Sequence, residues 1–387
     1  MSKYHSYLNN AQKLIKAYPS GMPFSLYLKN FFSSEKKFGS KDRKMISNLC
    51  YHYFRCYYLF DENKNLEDKI IQSVFLCEQE SNDLLAFFEP TLNEKIQLQL
   101  NEKLTHAGLS ISNSFPFIDF VSPLIDSSLL IQSYFIQPNL FVRIRPSKEK
   151  TVLNSLTKAG LPFKLLAENC IELENRTKIE TVLKINKEAV IQDYNSQKVF
   201  NFFSHQPFSQ AIKVWDVCAA SGGKSLLLYD ILNGKIKLTV SDIRKNILAN
   251  LRDRLGQASI NLYHQFVQDV SLQSGLHKTD LFDLVICDVP CSGSGTWART
   301  PEQILSFDQN QIQAFQAKQK AIIQNAIPHL QSSGYLIYIT CSVFKIENED
   351  MTEHIEKNFS LTVLESKYLC GYEQKADTMY VAIFKKN

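Results

Sequence analysis

The sequence VWDVCAASGGKS, residues 214–225, contains a run of small residues between two apolar stretches. The valines and the tryptophan before the run favour a β-strand, and SLLLYDIL, residues 225–232, is typical of a buried helix. Glycines between a strand and a helix let the backbone turn tightly and approach a ligand closely. The stretch therefore predicts a strand–loop–helix unit, with Asp216 near the end of the strand.

The Gly-Gly-Lys-Ser segment at residues 222–225 resembles the end of a nucleotide-binding P-loop. That pattern, GxxxxGK[ST], requires a glycine five positions before the last one, and Cys218 occupies this position. The loop does not contain the dinucleotide pattern GxGxxG either. Taken alone, the loop is consistent with a ligand site and equally with a tight turn that binds nothing.

Patterns of strands and helices alternate from residue 211 onward. The first predicted strand is IKVWDVCA (212–219). It is followed by KIKLTVSD (235–242), LYHQFVQD (262–269), FDLVICDVP (282–290), GYLIYITCS (334–342) and an antiparallel DTMYVAIFKK (377–386). Predicted helices lie between them, including IRKNILANLRDRLG (243–256) and NQIQAFQAKQKAIIQNAIPHL (310–330). This alternation predicts an α/β fold in which helices cover both faces of a largely parallel sheet.

The sequence divides into three predicted domains. Residues 1–130 show apolar residues at helical spacing, and residues 131–200 combine short strand patterns with one helix pattern, which indicates a small α+β segment. Residues 201–387 form the α/β domain. Residues 1–60 carry ten Lys and Arg against two acidic residues. This excess of positive charge is compatible with a polyanion-binding surface and with a solvated helical face, and charge alone favours the solvated face.

The composition is that of a folded, water-soluble protein. The chain has 387 residues, a net charge of +4 and nine cysteines, none of them in a Cys-x-x-Cys pair. This favours reduced thiols over a disulfide framework or a zinc site, and we expect no metal. No apolar run reaches the length of a membrane span, and the polar N-terminus predicts no signal peptide. We expect a cytoplasmic monomer that does not bind membranes.

Four predicted strand ends carry a carboxylate: Asp216, Asp242, Asp269 and Asp288. A single aspartate in such a position is often only a turn residue. Four of them at one edge of a sheet, with a glycine loop, predict a crevice that binds a nucleoside, because an acid about twenty residues past such a loop typically accepts from ribose hydroxyls. Without a P-loop or a dinucleotide pattern, S-adenosylmethionine is the expected ligand.

Two cysteines, Cys291 and Cys341, follow the fourth and fifth strands of the domain. A lone cysteine is usually a buried structural thiol. Two at neighbouring strand ends, near Asp288 and Lys224, suggest reactive thiols whose pKa is lowered by the ammonium and by loop amides. A thiolate, a carboxyl and a methyl donor together suit methylation of a pyrimidine at carbon 5, because thiolate addition at carbon 6 makes carbon 5 nucleophilic.

Four motifs resemble, in order, those of the Nol/Nop/Sun family of RNA cytosine-5 methyltransferases, and specifically its bacterial RsmB (Sun) type. They are DVCAASGGKS (216–225), SDIRKN (241–246), DVPCSGSGTW (288–297) and TCSVFKIENE (340–349). GSKDRKMISNLCYHYFR (39–55) resembles the family's NusB-like helical RNA-binding domain. The resemblance covers the whole chain and implies a Rossmann-like, S-adenosylmethionine-dependent methyltransferase core, preceded by a helical domain and a small α+β domain.

The resemblance also implies residue roles. Cys341 is expected to be the nucleophile, Cys291 to assist product release and Asp288 to contact the target cytosine. The expected cofactor-binding residues are Cys218, Ala219, Ala220, Ser221, Gly222, Gly223, Lys224, Asp242, Arg244, Asp269 and Asp288. The expected RNA-binding residues are Arg143, Arg145, Lys224 and Arg299. The chain departs from the family pattern at Ser221, where proline is usual, and at Trp297-Ala298-Arg299, where two arginines are usual.

The resemblance predicts 5-methylcytosine formation in RNA, with small-subunit (16S) ribosomal RNA as the expected substrate. An exposed cytosine in a single-stranded or unfolded region is required, because a stacked base is inaccessible. A transfer-RNA methyltransferase with the same mechanism remains open, as does an RNA-binding ribosome-assembly factor without catalysis, although both cysteines and Asp288 argue against the latter. Cys218 argues against a nucleotidase. A DNA methyltransferase is disfavoured because the expected nucleophile Cys341 lies in the tripeptide TCS and not in PCQ, the context expected for the nucleophile of a DNA methyltransferase.

Overall fold

The helical patterns of the N-terminal region form helices in the computed structural model. It describes residues 2–19, 21–167, 169–205, 208, 210–261 and 263–387. The helices of this region are α1 (Lys3–Ala17), α2 (Phe24–Ser34), α3 (Ser40–Cys56), α4 (Leu66–Cys77), α5 (Asp83–Phe88), α6 (Pro90–Glu94), α7 (Leu100–His106) and α8 (Ser127–Tyr134). Their buried positions recur at helical spacing, as Leu8, Ala11 and Leu14 do in α1.

The α+β pattern of residues 131–200 forms a small antiparallel sheet with one helix. Its elements are β1 (Leu140–Ile144), α9 (Glu149–Lys158), β2 (Lys164–Ala167), β3 (Cys170–Leu173) and β4 (Ala189–Ile191). The strand order is β2-β3-β1-β4, with β1 paired to β3 and β4. The sequence predicts strands at NLFVRIRPS (139–147) and CIELE (170–174) and a helix at KEKTVLNSLTKAG (148–160), which correspond to β1, β3 and α9. Strands β2 and β4 have only four and three residues and carry too little periodicity to be recognised.

The C-terminal region forms a larger sheet with helices between its strands. Its elements are β5 (Ile212–Asp216), α10 (Gly223–Ile231), β6 (Ile236–Asp242), α11 (Lys245–Gln257), β7 (Tyr263–Val267), β8 (Phe282–Asp288), α12 (Gln303–Ser306), α13 (Asn310–Ala326), β9 (Leu330–Thr340), α14 (Glu349–Asn358), β10 (Leu361–Leu369) and β11 (Met379–Lys386). Leu262, the first residue of the strand predicted at 262–269, lies outside the described residues.

Among the described residues, this larger sheet has seven strands in the order β10-β11-β9-β8-β5-β6-β7. The strands from β9 to β7 pair in parallel, whereas β11 is antiparallel to β9 and β10 is antiparallel to β11. Alternate residues of β5 enter different hydrophobic clusters, Val214 in one and Trp215 in the other, so the sheet is buried on both faces. The predicted α/β fold and the antiparallel last strand are confirmed.

The chain forms two compact units. The first contains Met1–Val121, Asp126–Gln137 and Thr296–Asp308, and the second contains Ser122–Ile125, Pro138–Gly295 and Gln309–Asn387. The first is the helical unit, and the second contains both sheets. The three-domain division predicted from the sequence stays a prediction. Because parallel strands share one carboxyl edge, the ends of β5, β6, β8 and β9 lie along the same side of the larger sheet.

Candidate active site

The loop after β5 turns sharply before α10. Gly222 has a φ of +80°, and a Cβ atom there would lie 3.0 Å from Cγ of Leu251. Ala220 has a positive φ of 46°, and its amide donates a hydrogen bond of 3.0 Å to Oδ2 of Asp242. The loop is therefore held against the end of β6, and position 222 requires glycine.

Asp242, the last residue of β6, is a buried carboxylate. Its Oδ1 accepts from the backbone N of Arg244 at 2.8 Å and from Nε of the same residue at 3.0 Å. Burial favours the neutral carboxyl, but the hydrogen bonds from Arg244 and from the Ala220 amide outweigh it and lower the pKa of Asp242 below its ordinary value. Asp242 is therefore ionised at neutral pH and can accept further hydrogen bonds.

A cavity of about 190 Å³ opens at the carboxyl ends of β6 and β8. Of the residues expected to bind a cofactor, its lining includes Cys218, Ala220, Asp242, Arg244, Asp269 and Asp288. Its remaining described walls are mostly apolar, and α13 contributes Lys318 and Ile322. Ala219, Ser221, Gly222, Gly223 and Lys224 belong to the same loop and helix start but are absent from the lining that the described residues form. No signal in the sequence pointed to Lys318, since α13 carries no motif.

Two further strand-end aspartates differ in their surroundings. Asp269 lines the cavity and accepts hydrogen bonds from the amide of Ser271 at 3.0 Å and from its hydroxyl at 2.5 Å. Asp216 is fully buried behind the loop and accepts from Oγ of Ser225 at 2.6 Å. Burial raises the pKa of Asp216 to about 7. Asp216 therefore supports the start of α10 and does not line the cavity in the described part of the chain.

Lys224, in the first turn of α10, reaches across to the end of β8. Its Nζ lies 3.2 Å from Oδ2 of Asp288 and donates to Oγ of Ser196 at 2.9 Å. The Asp288 side chain is 30% exposed, whereas that of Lys224 is 12% exposed. The carboxylate is thus held by a cation and still open to an incoming group. Ser196 lies in the predicted α+β segment, residues 131–200, and was not predicted as a site residue.

Cys291 and Cys341 meet in the structure. Their Sγ atoms lie 3.3 Å apart, and the amide of Cys341 donates to Sγ of Cys291 at 3.3 Å. The hydrogen bond with Cys341, together with burial, raises the pKa of the Cys291 thiol well above its ordinary value. The sequence predicted a lowered pKa for these thiols. For Cys291 this is wrong, because the hydrogen bond with Cys341 and burial outweigh the lowering of the pKa by the backbone hydrogen bond from Gly293.

The arginines expected to bind RNA lie elsewhere. Nη1 of Arg143 and Nη2 of Arg145 each lie 2.7 Å from a carboxylate oxygen of Asp230 on α10. Arg143 is 2% exposed, so its guanidinium is turned into the protein and not towards solvent. Arg299 belongs to the helical unit, within Thr296–Asp308. The role of these arginines in RNA binding stays a prediction.

The described residues contain no group of three or more His, Cys, Asp or Glu side chains arranged to hold a metal ion. None of the helices in the described part of the chain combines the length and the apolar character that crossing a bilayer requires.

The family model described as "16S rRNA methyltransferase RsmB/F" matches residues 206–380 of the chain. A probable ribosomal RNA small subunit methyltransferase B of Bacillus subtilis is 25% identical over 222 residues, covering 56% of this chain and 49% of that protein. A protein of the same description from Synechocystis is 28% identical over 272 residues, covering 65% of this chain and 58% of that protein. The chain thus spans about half the length of the curated relatives it matches.

Two solved structures from Pyrococcus horikoshii share the fold. One is described as NSun6 with SFG, and it superposes with a TM-score of 0.60 at 13% identity, covering 70% of this chain and 98% of that one. The other is described as a methyltransferase homolog protein and gives a TM-score of 0.58 at 20% identity, covering 75% and 100%. At these identities the likeness establishes the fold alone.

Proposed function

We propose that this chain, whose residues 206–380 match the RsmB/F methyltransferase family model, is a Sun-type enzyme that methylates carbon 5 of a cytosine in 16S ribosomal RNA. The observation that carries the proposal is the pair of thiols at the ends of two parallel strands, with Sγ atoms 3.3 Å apart. The likeness to curated small-subunit ribosomal RNA methyltransferases supports the choice of RNA.

The residues of the cavity fit S-adenosylmethionine as the cofactor. Asp242 and Asp269 supply hydrogen-bond acceptors suited to ribose and amino groups, and the apolar walls suit an adenine ring. Gly222 lets the backbone turn closely where a side chain would collide with Leu251. S-adenosylmethionine, when bound, supplies an electrophilic methyl group. A solved structure of the same fold is described as containing SFG, a compound related to this cofactor, which agrees with the assignment.

The chain's own residues carry the activation of the base. In the proposed reaction the thiolate of Cys341 adds to carbon 6 of cytosine, forming a C–S bond and shifting the electron pair of the ring double bond towards carbon 5. The carboxyl group of Asp288 accepts a hydrogen bond from the exocyclic amine and supplies a proton to ring nitrogen 3 as the adduct forms, and so stabilises the adduct; the proton returns to Asp288 when the adduct breaks down. Lys224, at 3.2 Å, keeps this carboxylate in position.

Release of the product requires a base, such as a water molecule, to take the carbon 5 proton, whose bonding electron pair re-forms the ring double bond, and cleavage of the C–S bond, whose electron pair returns to the sulfur of Cys341. The raised pKa of Cys291 keeps its thiol protonated at neutral pH. It can therefore donate a hydrogen bond to the departing sulfur, which favours Cys341 as the nucleophile and Cys291 as the residue that assists release.

The test is a covalent trap. Cys291→Ala is mixed with S-adenosylmethionine and with one of three substrates: total ribosomal RNA, small-subunit precursor particles or total transfer RNA. We expect a denaturant-resistant protein–RNA band that nuclease removes and that is absent from the Cys291→Ala/Cys341→Ala double variant. Cys77→Ala, which alters a partly buried cysteine of the helical unit, is the matched control and should not trap RNA.

The identity of the trapped RNA decides the substrate. A band with ribosomal RNA or precursor particles supports the proposal, and a band with transfer RNA alone would reject the ribosomal substrate while keeping the chemistry. If the wild type methylates RNA and Cys341→Ala retains that activity, the nucleophile is wrongly assigned. If wild type methylates none of the three substrates and no variant traps RNA, the proposed enzyme activity is wrong and the non-catalytic RNA-binding alternative gains support.

A further inference from the structure

One buried carboxylate joins the two segments that carry the cysteines. Oε1 of Glu347 accepts a hydrogen bond from the backbone N of Ser292 at 2.9 Å, and Oε2 accepts from Oγ of Ser342 at 2.5 Å. Ser292 directly follows Cys291, and Ser342 directly follows Cys341. The two serine hydroxyls also lie 3.0 Å apart. Glu347 is thus bonded to the neighbour of each cysteine.

A glutamine of α13 completes the arrangement. Nε2 of Gln319 donates to Oε1 of Glu347 at 2.9 Å and to the carbonyl of Pro290, the residue before Cys291, at 3.1 Å. The hydroxyl of Tyr338 donates to the Glu347 carbonyl at 2.7 Å. The segment that carries Cys291 is therefore held on both sides of the cysteine by groups tied to Glu347.

Burial of the Glu347 carboxylate costs desolvation free energy, which suggests that the carboxylate has a role in ordering its surroundings. The side chain is fully buried, and a buried carboxylate without a cation pays a large desolvation cost that hydrogen bonds only partly offset. Burial raises its pKa accordingly. Three donors converge on this carboxylate from three separate parts of the chain. Removal of the carboxylate would leave these buried donors without an acceptor.

We propose that Glu347 is a positioning residue that sets the separation of the Cys291 and Cys341 sulfurs and thereby controls product release. This inference rests on the proposed cytosine methylation and gives a role to Glu347, which lies in the motif TCSVFKIENE but received no role from the sequence. The thiol of Cys291 must reach the C–S bond formed at Cys341, and the Sγ atoms of the two cysteines lie 3.3 Å apart. The cavity expected to hold the cofactor does not include Glu347 among its described lining residues.

The first test measures the thiol geometry and needs no substrate. Diamide oxidises two neighbouring thiols to a disulfide, and it takes up their two protons and two electrons to become a hydrazine. We expect Glu347→Ala to slow formation of the Cys291–Cys341 disulfide roughly tenfold or more, since several buried hydrogen bonds are lost. Glu347→Gln keeps the shape of the side chain and one acceptor oxygen, so its rate of disulfide formation should lie between those of wild type and Glu347→Ala. Glu353→Ala is the control: Glu353 is exposed on α14, the helix that begins two residues after Glu347. This variant should form the disulfide at the wild-type rate.

The second test measures release. With RNA and S-adenosylmethionine, we expect Glu347→Ala to accumulate the covalent adduct and to lose kcat with unchanged KM for S-adenosylmethionine. Glu347→Gln should partly restore kcat. A folded Glu347→Ala with wild-type disulfide formation and wild-type turnover would overturn the proposal. If circular dichroism shows that this variant does not fold, Ser342→Ala replaces it, because this change removes one donor to Glu347 and should also slow disulfide formation.

The two tests separate two kinds of failure. If wild type neither methylates nor traps RNA, the proposed function fails, and the rate of disulfide formation still shows whether Glu347 positions the thiols. If wild type methylates RNA and Glu347→Ala loses activity only through a higher KM for S-adenosylmethionine, Glu347 supports the cofactor site and the positioning role is rejected.

Discussion

The ammonium of Lys224 lies 3.2 Å from the carboxylate of Asp288 and links the first turn of α10 to the last residue of β8. Lys224 lies in the motif DVCAASGGKS, and Asp288 opens the motif DVPCSGSGTW. The lysine side chain is mostly buried and also donates to Ser196, so its position is determined on two sides. The pair therefore fixes the carboxylate that is proposed to meet the target cytosine.

Lys224→Met should lower the rate of methyl transfer by about 10²-fold, because the carboxylate of Asp288 loses its positioning partner and a small misplacement at a reacting group has this effect. The rate is measured under single-turnover conditions with methyl-labelled cofactor and RNA. Lys213→Met, at an exposed position on β5, serves as the control and should leave the rate unchanged. A Lys224→Met rate within twofold of wild type, roughly the scatter of such assays, would contradict this role.

Gly222→Ala should weaken cofactor binding and destabilise the fold by about 1–2 kcal/mol, the cost of a side chain in the left-handed region. The new Cβ would also press against Leu251. Calorimetric titration with S-adenosylmethionine and urea unfolding measure the two effects. Gly256→Ala is the matched control: no atom lies within 4 Å of its added Cβ among the described residues, and alanine in α11 should stabilise by about 0.5–1 kcal/mol.

Asp216 should make the stability of the protein fall as the pH rises. Its pKa is raised from an ordinary value of 3.8 to about 7 in the folded state, so the folded state holds the proton more tightly than the unfolded chain. The resulting stability is fully present below the unfolded pKa and is lost as the pH rises towards the folded pKa. Between pH 5 and pH 8 this loss amounts to about 2 kcal/mol.

Asp216→Asn removes this titration. Urea unfolding at pH 5 and pH 8 should therefore show a pH dependence that is smaller by about 2 kcal/mol in the variant than in wild type. Asn can still accept from Ser225, which hydrogen-bonds to Asp216. Asp253→Asn, at an exposed position of α11, provides the comparison. Identical pH profiles for wild type and Asp216→Asn would show that Asp216 is ionised throughout this range.

Trp297→Ala should destabilise the helical unit by about 3–5 kcal/mol, the usual cost of removing a large buried aromatic side chain. Trp297 is 1% exposed, and its ring lies 5.8 Å from that of Phe115 and 5.0 Å from that of Phe307. Urea unfolding followed by far-ultraviolet circular dichroism measures the loss. Leu26→Ala, a half-exposed position in α2, should cost less than about 1 kcal/mol. A similar cost for both variants would contradict the packing role of Trp297.

Trp297 also illustrates how the structure changes the interpretation of a sequence difference. Two arginines are usual in the resembled pattern where this chain has Trp297-Ala298-Arg299. The sequence suggested only a lost phosphate or base contact. The structure shows that Trp297 lies in the aromatic core of the helical unit, against Phe115, Phe117 and Phe307. Because burial of an aromatic ring depends on residues far away in the chain, no local pattern predicts it.

The sequence by itself determined the α/β fold, the antiparallel last strand, and the meeting of Asp242, Asp288, Cys291 and Cys341 at one edge. Alternating strand and helix patterns predict a parallel sheet, and all parallel strands end on the same side. Only the tertiary structure decided that Asp230 holds Arg143 and Arg145, that Lys224 pairs with Asp288, and that Glu347 joins the two cysteine segments. Strand periodicity is a local property of the chain, whereas each of these side-chain pairings depends on how distant segments pack.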